Sequence, residues 1–136
     1  MRKRTKAREM ILRLLYQADI TAVDPQEILE EFWTDYPDVS DDPSLRDFVR
    51  ELVALLSARR GEVDKVLTSS ATNWQLDRMA AVDRNILRLA AIELLFRQDV
   101  PPKVAINEAV ELAKKYGDME SSKFVNGILD KIHKTR

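Results

Sequence analysis

The stretch from residue 103 to residue 132 constrains the fold most, because its pattern predicts two helices folded back on each other around one tight turn. Apolar and small residues recur in the first helix at the three-and-four spacing of a buried stripe. They form one row of Ile106, Val110, Ala113 and Gly117 and a second row of Ala105, Ala109, Leu112 and Tyr116. The second helix carries a buried row of Val125, Ile128, Leu129 and Ile132. We expect the preceding residues to pack against this hairpin.

Glycines and serines set three expectations for the hairpin. Gly117 should end the first helix in the left-handed conformation, which a residue without Cβ enters at no steric cost. Gly127 lies inside the second helix at a cost of about 1 kcal/mol relative to alanine, so we expect a second backbone close to it. Ser121 or Ser122 should cap that helix by accepting from its free amides.

The earlier segments also show helical periodicity, with no alternating strand pattern and no internal repeat. Asp24 and Pro25, with Glu27 three residues after the cap, are a helix start signal. The apolar residues before and after Gly61 keep the same helical spacing, which favours one long helix through the glycine. The predicted segments are helices over about 5–21, from Asp24 to before Pro37, from Pro43 to about Leu67, and over 76–97, with a polar loop at 37–43, a joint at 68–73 and a turn at 99–102.

These segments predict an all-α protein of two small helical bundles packed together, with about six to seven helices. The first bundle covers residues 1–70 and includes a basic N-terminal arm, and the second covers residues 71–136, within a single compact domain overall. In the helix over 76–97, Glu93 falls near the apolar stripe. We expect it at the edge of the stripe or paired with a cation.

Composition limits the possible functions. There is no cysteine and only one histidine, His133, so we expect no disulfide, no metal site and no cofactor. No nucleophile–base pair and no glycine-rich phosphate loop can be assembled, and we therefore predict that the protein is not an enzyme. No run of about 18 apolar residues is present, and the basic N-terminus is followed by no signal-peptide core. We expect a soluble cytoplasmic protein that does not enter a membrane.

Charge is unevenly distributed, although the net charge is only −1. Residues 1–13 hold six basic residues against Glu9, whereas residues 19–51 hold eleven acids against two arginines. Such polarity can present a basic surface to a polyanion. The candidate phosphate contacts are Arg2, Lys3, Arg4, Lys6 and Arg8. The alternative is a solvated, frayed terminus.

Two aromatic residues lie beside cations, which suits stacking of unpaired RNA bases. Tyr16 shares an i, i+4 row with Arg4, Arg8 and Leu12, and Phe124 follows Ser122 and Lys123 at a helix start, where free amides favour a phosphate. The alternative for both rings is core packing. We interpret Trp33, Trp74 and Tyr116 as packing residues. If the RNA interpretation holds, the basic arm and Phe124 should form one strip for a single strand.

Several motifs at fixed spacing carry a family resemblance. They are PPKVAINEA at 101–109, AKKYG at 113–117, KFVNG at 123–127, VDRNILR at 82–88, and Ala7–Arg8 and Leu15–Tyr16–Gln17 near the start. Together they strongly resemble the NusB family of bacterial transcription antitermination factors. The resemblance covers nearly the whole chain.

This resemblance implies binding of boxA RNA through an arginine-rich N-terminal segment, in which this chain has Lys3 and Lys6. Those lysines weaken the case for planar bidentate contacts but not for phosphate attraction. The resemblance also favours Tyr16 and Phe124 as RNA contacts. It implies a second protein, the ribosomal small-subunit protein NusE, near Asp77, Asp83 and Glu120, and action with other Nus factors on RNA polymerase. Ordinary exposed acids are the alternative for those three residues.

Two other functions remain open at this point. NusB-like domains also occur as RNA-binding accessory modules of RNA methyltransferases. A purely structural helical dimer, whose basic arm only solubilises it, is the other alternative. A free form that covers its RNA surface by forming a homodimer is a further hypothesis.

Overall fold

A computed structural model describes residues 2–135, apart from the side chain of Arg2. Within that range the chain is all-α, as predicted, with no strand. Its eight helices exceed the predicted six to seven, and two 3₁₀ turns at Trp33–Asp35 and Leu76–Arg78 join them. The helices are α1 (Arg2–Thr21), α2 (Pro25–Phe32), α3 (Pro37–Ser40), α4 (Pro43–Ala58), α5 (Arg60–Ser70), α6 (Ala81–Phe96), α7 (Pro102–Tyr116) and α8 (Ser121–Lys134).

Helix α6 lies at the centre of the fold. It is buried from Ile86 to Glu93 and packs against α1, α4, α5, α7 and α8. One continuous apolar cluster includes residues from both halves of the chain, such as Leu52 and Leu129. The division into bundles at 1–70 and 71–136 stays a prediction. No helix in the range 2–135 is long and apolar enough to cross a membrane.

The start of α2 follows the predicted cap. The Asp24 carboxylate accepts from the Gln26 amide at 2.9 Å, and the Glu27 side chain accepts from the Asp24 amide at 3.3 Å. With Pro25 at the first helical position, these contacts form a complete capping box.

Two predicted boundaries between residues 37 and 70 are wrong. The predicted polar loop at 37–43 contains the short helix α3, because Val39 is fully buried in the core and Pro37 suits a helix start. The predicted long helix breaks at Arg59, whose φ and ψ are −110° and 16°. Gly61 lies inside α5 and does not cause the break. Since Leu56 and Val63 are both buried, apolar phase alone does not distinguish one helix from two that pack on the same core.

The α7–α8 hairpin is confirmed, but its turn differs from the prediction. Gly117 has a φ of −92° and a ψ of −170°, which is not left-handed. The residue must be small because a Cβ there would lie 2.5 Å from Ser121 Cβ and 2.8 Å from the Ala113 carbonyl oxygen. A Cβ at Gly127 would meet nothing within 4 Å, so the close backbone expected there is absent.

The cap of α8 comes from Asp118 and not from a serine. The Asp118 carboxylate accepts from the amides of Glu120 and Ser121 at 2.9 and 3.1 Å. The Ser121 hydroxyl points back into the turn and accepts from the Asp118 amide at 3.0 Å. Asp118 and Ser121 are therefore hydrogen-bonded to each other in both directions, and these bonds fix the residue at which α8 begins.

Candidate nucleic-acid interface

Arg8 lies in the core and holds α1 to α6 and α7. Its side chain is 1% exposed, and it donates to both carboxylate oxygens of Glu93 at 2.8 and 2.7 Å and to Glu108 at 3.0 Å. Burial lowers the Arg8 pKa, but the hydrogen bonds and negative charges of Glu93 and Glu108 outweigh it and raise the pKa. Of the predicted row of Arg4, Arg8, Leu12 and Tyr16, both Arg8 and Leu12 are buried, so Arg8 is not accessible to a phosphate.

Arg4 is partly withdrawn from solvent as well. Its guanidinium lies 4.3 Å from the centre of the Phe48 ring and 3.3 Å from the Asp99 carboxylate. The guanidinium of Arg97 lies 5.4 Å from the same ring and donates to Asp99 at 2.8 Å. The Arg97 hydrogen bonds and charge hold the Asp99 pKa well below its usual range. Arg4 contributes mainly to this cluster.

The outward face of α1 carries two of the predicted cations, Lys3 and Lys6, together with Arg13, which the sequence did not indicate. Lys3, Lys6, Arg13 and Tyr16 are exposed at spacings of three and seven residues, which places them along one side of a helix. Within residues 2–135, Lys6 makes no ion pair, and Lys3 makes one contact of 3.4 Å to Asp42. Arg13 donates to the buried Tyr36 hydroxyl at 3.0 Å. We call Lys3, Lys6, Arg13 and Tyr16 the α1 strip.

Helix α7 adds a cation and an aromatic ring beside this strip. Lys115 donates to the Glu9 carboxylate at 2.7 Å and lies 5.4 Å from the Tyr116 ring centre. The hydrogen bond and charge of Glu9 raise the Lys115 pKa. We interpret Tyr116 from the sequence as a packing residue, but its side chain is partly exposed to solvent. The sequence did not single out Arg13 and Lys115 as candidate site residues, although Arg13 lies two helical turns after Lys6.

The start of α8 presents Phe124 together with Trp74. Phe124 is half-buried against the core, and its ring meets the Trp74 ring edge to face, with centres 5.6 Å apart and planes at 78°. Ser122 is half-buried and Lys123 is exposed on the same turn of helix. Trp74 packs against Phe124 as interpreted, but its side chain is 54% exposed, so much of its surface remains open to solvent. The same interpretation is confirmed for Trp33, which is buried beneath Arg46.

The basic arm and Phe124 lie toward opposite ends of α1. Arg8 pairs with Glu93 near the end of α6, whereas Asp19 pairs with Arg84 near its start, so α1 and α6 run antiparallel. Trp74 borders the same cavity as Asp19, which places the Trp74–Phe124 pair at the later end of α1. Lys6 and Tyr16 are about 15 Å apart along the helix axis at 1.5 Å per residue. A single RNA strand that contacts both the basic arm and Phe124 must therefore pass over Arg13 and Tyr16, which lie between them. The predicted phosphate contact of Arg2 lies outside the described side chains.

The three residues assigned to the second protein differ in exposure. Asp77 and Glu120 are exposed. Asp83 in the first turn of α6 is 9% exposed, and its Oδ1 atom has no hydrogen-bond partner within residues 2–135. An unpaired buried carboxylate oxygen costs free energy until a donor reaches it.

The model of the NusB family matches residues 5–134. The chain belongs to the NusB family. It is 49% identical to the transcription antitermination protein NusB of Anaeromyxobacter dehalogenans over 130 residues, which cover 96% of this chain and 89% of the relative. It is 44% identical to the protein of that name from Myxococcus xanthus, with 97% and 95% covered.

Solved NusB structures share the fold. NusB of T. maritima superposes with a TM-score of 0.86 at 37% identity, with 98% of this chain and 91% of that chain covered. A structure described as the antitermination factors NusB and NusE in complex with double-stranded RNA matches with a TM-score of 0.88 at 30% identity, with 100% and 99% covered.

Proposed function

We propose that this protein is an RNA-binding transcription antitermination factor. It binds boxA RNA in nascent ribosomal transcripts together with NusE, and acts with other Nus factors on elongating RNA polymerase in the cytoplasm. Membership of the NusB family supports this proposal, as does the similar structure described with NusE and RNA. The observation that carries it is the α1 strip, where cations and an aromatic ring share one exposed helix face beside Lys115.

The mechanism is association and not catalysis. Lys3, Lys6 and Arg13 neutralise phosphates and release counterions, which supplies affinity with little dependence on base sequence. Tyr16 and Phe124 offer ring faces to unpaired bases, each worth about 1–3 kcal/mol. Arg8 contributes indirectly, because its ion pairs keep α1 fixed against α6 and α7.

NusE binds, in this proposal, at the end of the molecule where α6 and α8 begin. Exposed Asp77 and Glu120 suit a basic ribosomal protein, and a donor from NusE that reaches Asp83 would satisfy its unpaired oxygen. Because both partners bind one protein, RNA must raise the affinity for NusE by the same factor by which NusE raises the affinity for RNA.

Fluorescence anisotropy with a labelled boxA oligonucleotide tests the proposal. Engagement of roughly four phosphates of a single strand should give a slope of log K against log salt near −3. A scrambled oligonucleotide should bind more weakly, and the difference should grow when NusE is added. A duplex of the same sequence tests whether unpaired bases are needed. Equal binding of boxA and scrambled RNA in the presence of NusE would contradict the proposal.

Alanine substitutions at the two rings separate stacking from packing. Tyr16→Ala should weaken boxA binding by about 1–3 kcal/mol with little change in stability, because the ring is 43% exposed. Phe124→Ala should reduce both RNA affinity and the free energy of unfolding, since its ring is half-buried. Denaturant unfolding and anisotropy on the same samples measure both. If Phe124→Ala lowers stability only, Phe124 has no stacking role.

A further inference from the structure

A large cavity lies beside Trp74. It is open to solvent, has a volume of about 850 Å³, and is bordered by α5, the segment at 71–77 and α6. Its lining includes Thr72, Asn73, Trp74, Gln75, Arg84 and Arg88. None of these residues belongs to the α1 strip.

One wall of the cavity is rigid and close to neutral. Arg84 donates to Asp19 at 2.8 Å and to the backbone oxygens of Leu76 and Met79 at 3.1 and 3.0 Å. Arg88 donates to both carboxylate oxygens of Asp64 at 2.9 and 3.1 Å. Since each of these cations already has a carboxylate partner, the wall offers little free charge to a phosphate. A neutral ligand with several polar groups fits it better.

The other wall supplies an aromatic face, three uncharged hydrogen-bonding side chains and, at its edge, the Asp77 carboxylate. Trp74 is 54% exposed, and the neighbouring Thr72, Asn73 and Gln75 are exposed as well. An aromatic face with hydroxyl and amide side chains around it is the combination that recognises an unstacked nucleobase, through stacking and through hydrogen bonds to its edge. Asn and Gln present both a donor and an acceptor, which matches the mixed edge of a base.

Position connects this cavity to the RNA-binding face. The Trp74 and Phe124 rings contact each other at nearly a right angle, so a strand that stacks on Phe124 reaches Trp74 next. We propose that the cavity is a nucleobase site that takes one base of the same RNA strand, stacked on Trp74 and contacted at its edge by Asn73 or Gln75. The inference rests on the proposed function, because it requires RNA at Phe124.

Tryptophan fluorescence gives a direct readout, because the chain has only two tryptophans and Trp33 is buried. In a Trp33→Phe variant, Trp74 is the sole source of this signal. Adding a boxA oligonucleotide should quench the emission as the base stacks on the indole. Saturating RNA that leaves the emission of Trp74 unchanged would overturn the inference.

Affinity measurements with shortened RNA locate the base. Trp74→Ala should weaken boxA binding at least about fivefold, whereas Trp74→Phe should retain most of the affinity. Met119→Ala, an exposed residue at the same end of the molecule outside the cavity, serves as a matched control and should bind normally. Removing single nucleotides from one end of the oligonucleotide should abolish the difference between wild type and Trp74→Ala at one step.

The remaining outcomes contradict the inference in different ways. If Trp74→Ala binds boxA as tightly as wild type with the same salt slope, the nucleobase site is wrong and the proposed function stands. If Trp74→Ala weakens NusE binding without RNA and leaves RNA affinity unchanged, the cavity is a protein-binding site. If the wild-type protein binds no boxA RNA, both proposals fail.

Discussion

Replacing Arg8 with alanine should lower the free energy of unfolding by about 3–5 kcal/mol, the usual cost of removing one partner of a buried ion pair. The reason is the carboxylate left behind, because Glu93 is 1% exposed and both its oxygens accept from Arg8. Glu108 loses a 3.0 Å contact as well. Urea denaturation followed by far-ultraviolet circular dichroism measures the loss.

Lys6→Ala is the matched control for this change, since it removes a cation from the same helix on the exposed face. Its free energy of unfolding should stay within about 0.5 kcal/mol of wild type, while the salt slope of boxA binding should become shallower by roughly 0.7, the value for one phosphate of a single strand. Arg8→Ala, compared at a temperature where it is folded, should keep the wild-type slope. A stable Arg8→Ala variant with a shallower slope would show that Arg8 contacts RNA.

A double variant tests whether the stability depends on the Arg8–Glu93 ion pair itself or only on filling the space that the two side chains occupy. Arg8→Met with Glu93→Leu replaces both partners by apolar side chains of similar size, which is often neutral or stabilising in other proteins. The double variant should therefore recover much of the stability lost in Arg8→Met alone. If both variants are equally unstable, the loss of the hydrogen bond from Arg8 to Glu108 accounts for most of the destabilisation.

The sequence alone was enough to predict the parts of the fold that depend on residues close together in the chain. The Asp24 cap involves residues three positions apart, and the α7–α8 hairpin follows from two apolar stripes and a short turn. The break at Arg59 carries no such signal. A one-residue interruption leaves Leu56 and Val63 facing the same core, so the apolar pattern is the same with or without it.

The site was harder to predict because burial depends on contacts between distant residues. Arg8 lies 85 residues before Glu93 and 100 before Glu108, and only those two acids make the interior tolerable for its charge. Counting cations at the N-terminus could not separate Arg8 from Lys6. The partial signal was Glu93, an acid on an apolar stripe that needed a cation. Trp74 lies in a segment without periodicity, so its exposure had no sequence signal.

Gly117→Ala should destabilise the protein by about 1–3 kcal/mol, the usual cost of overpacking. The backbone angles at Gly117 suit any residue, so the cost comes from contact and not from conformation. The new methyl group would overlap the Ser121 side chain and the Ala113 carbonyl oxygen. Relief requires Ser121 to move, which breaks its 3.0 Å hydrogen bond from the Asp118 amide. Because Ser121 begins α8, boxA affinity through Phe124 should fall as well.

Gly127→Ala, in the same hairpin, should raise the stability of the protein, whereas Gly117→Ala should lower it. A Cβ there meets nothing within 4 Å, and the residue is exposed inside α8. Alanine should therefore stabilise the protein by about 0.5–1 kcal/mol through its higher helix propensity. Adding Ser121→Gly to Gly117→Ala removes the overlapping side chain and should restore part of the lost stability. Equal stability of Gly117→Ala and Gly127→Ala in urea denaturation would mean that the turn at 117–121 accommodates a methyl group and does not fix the position of α8.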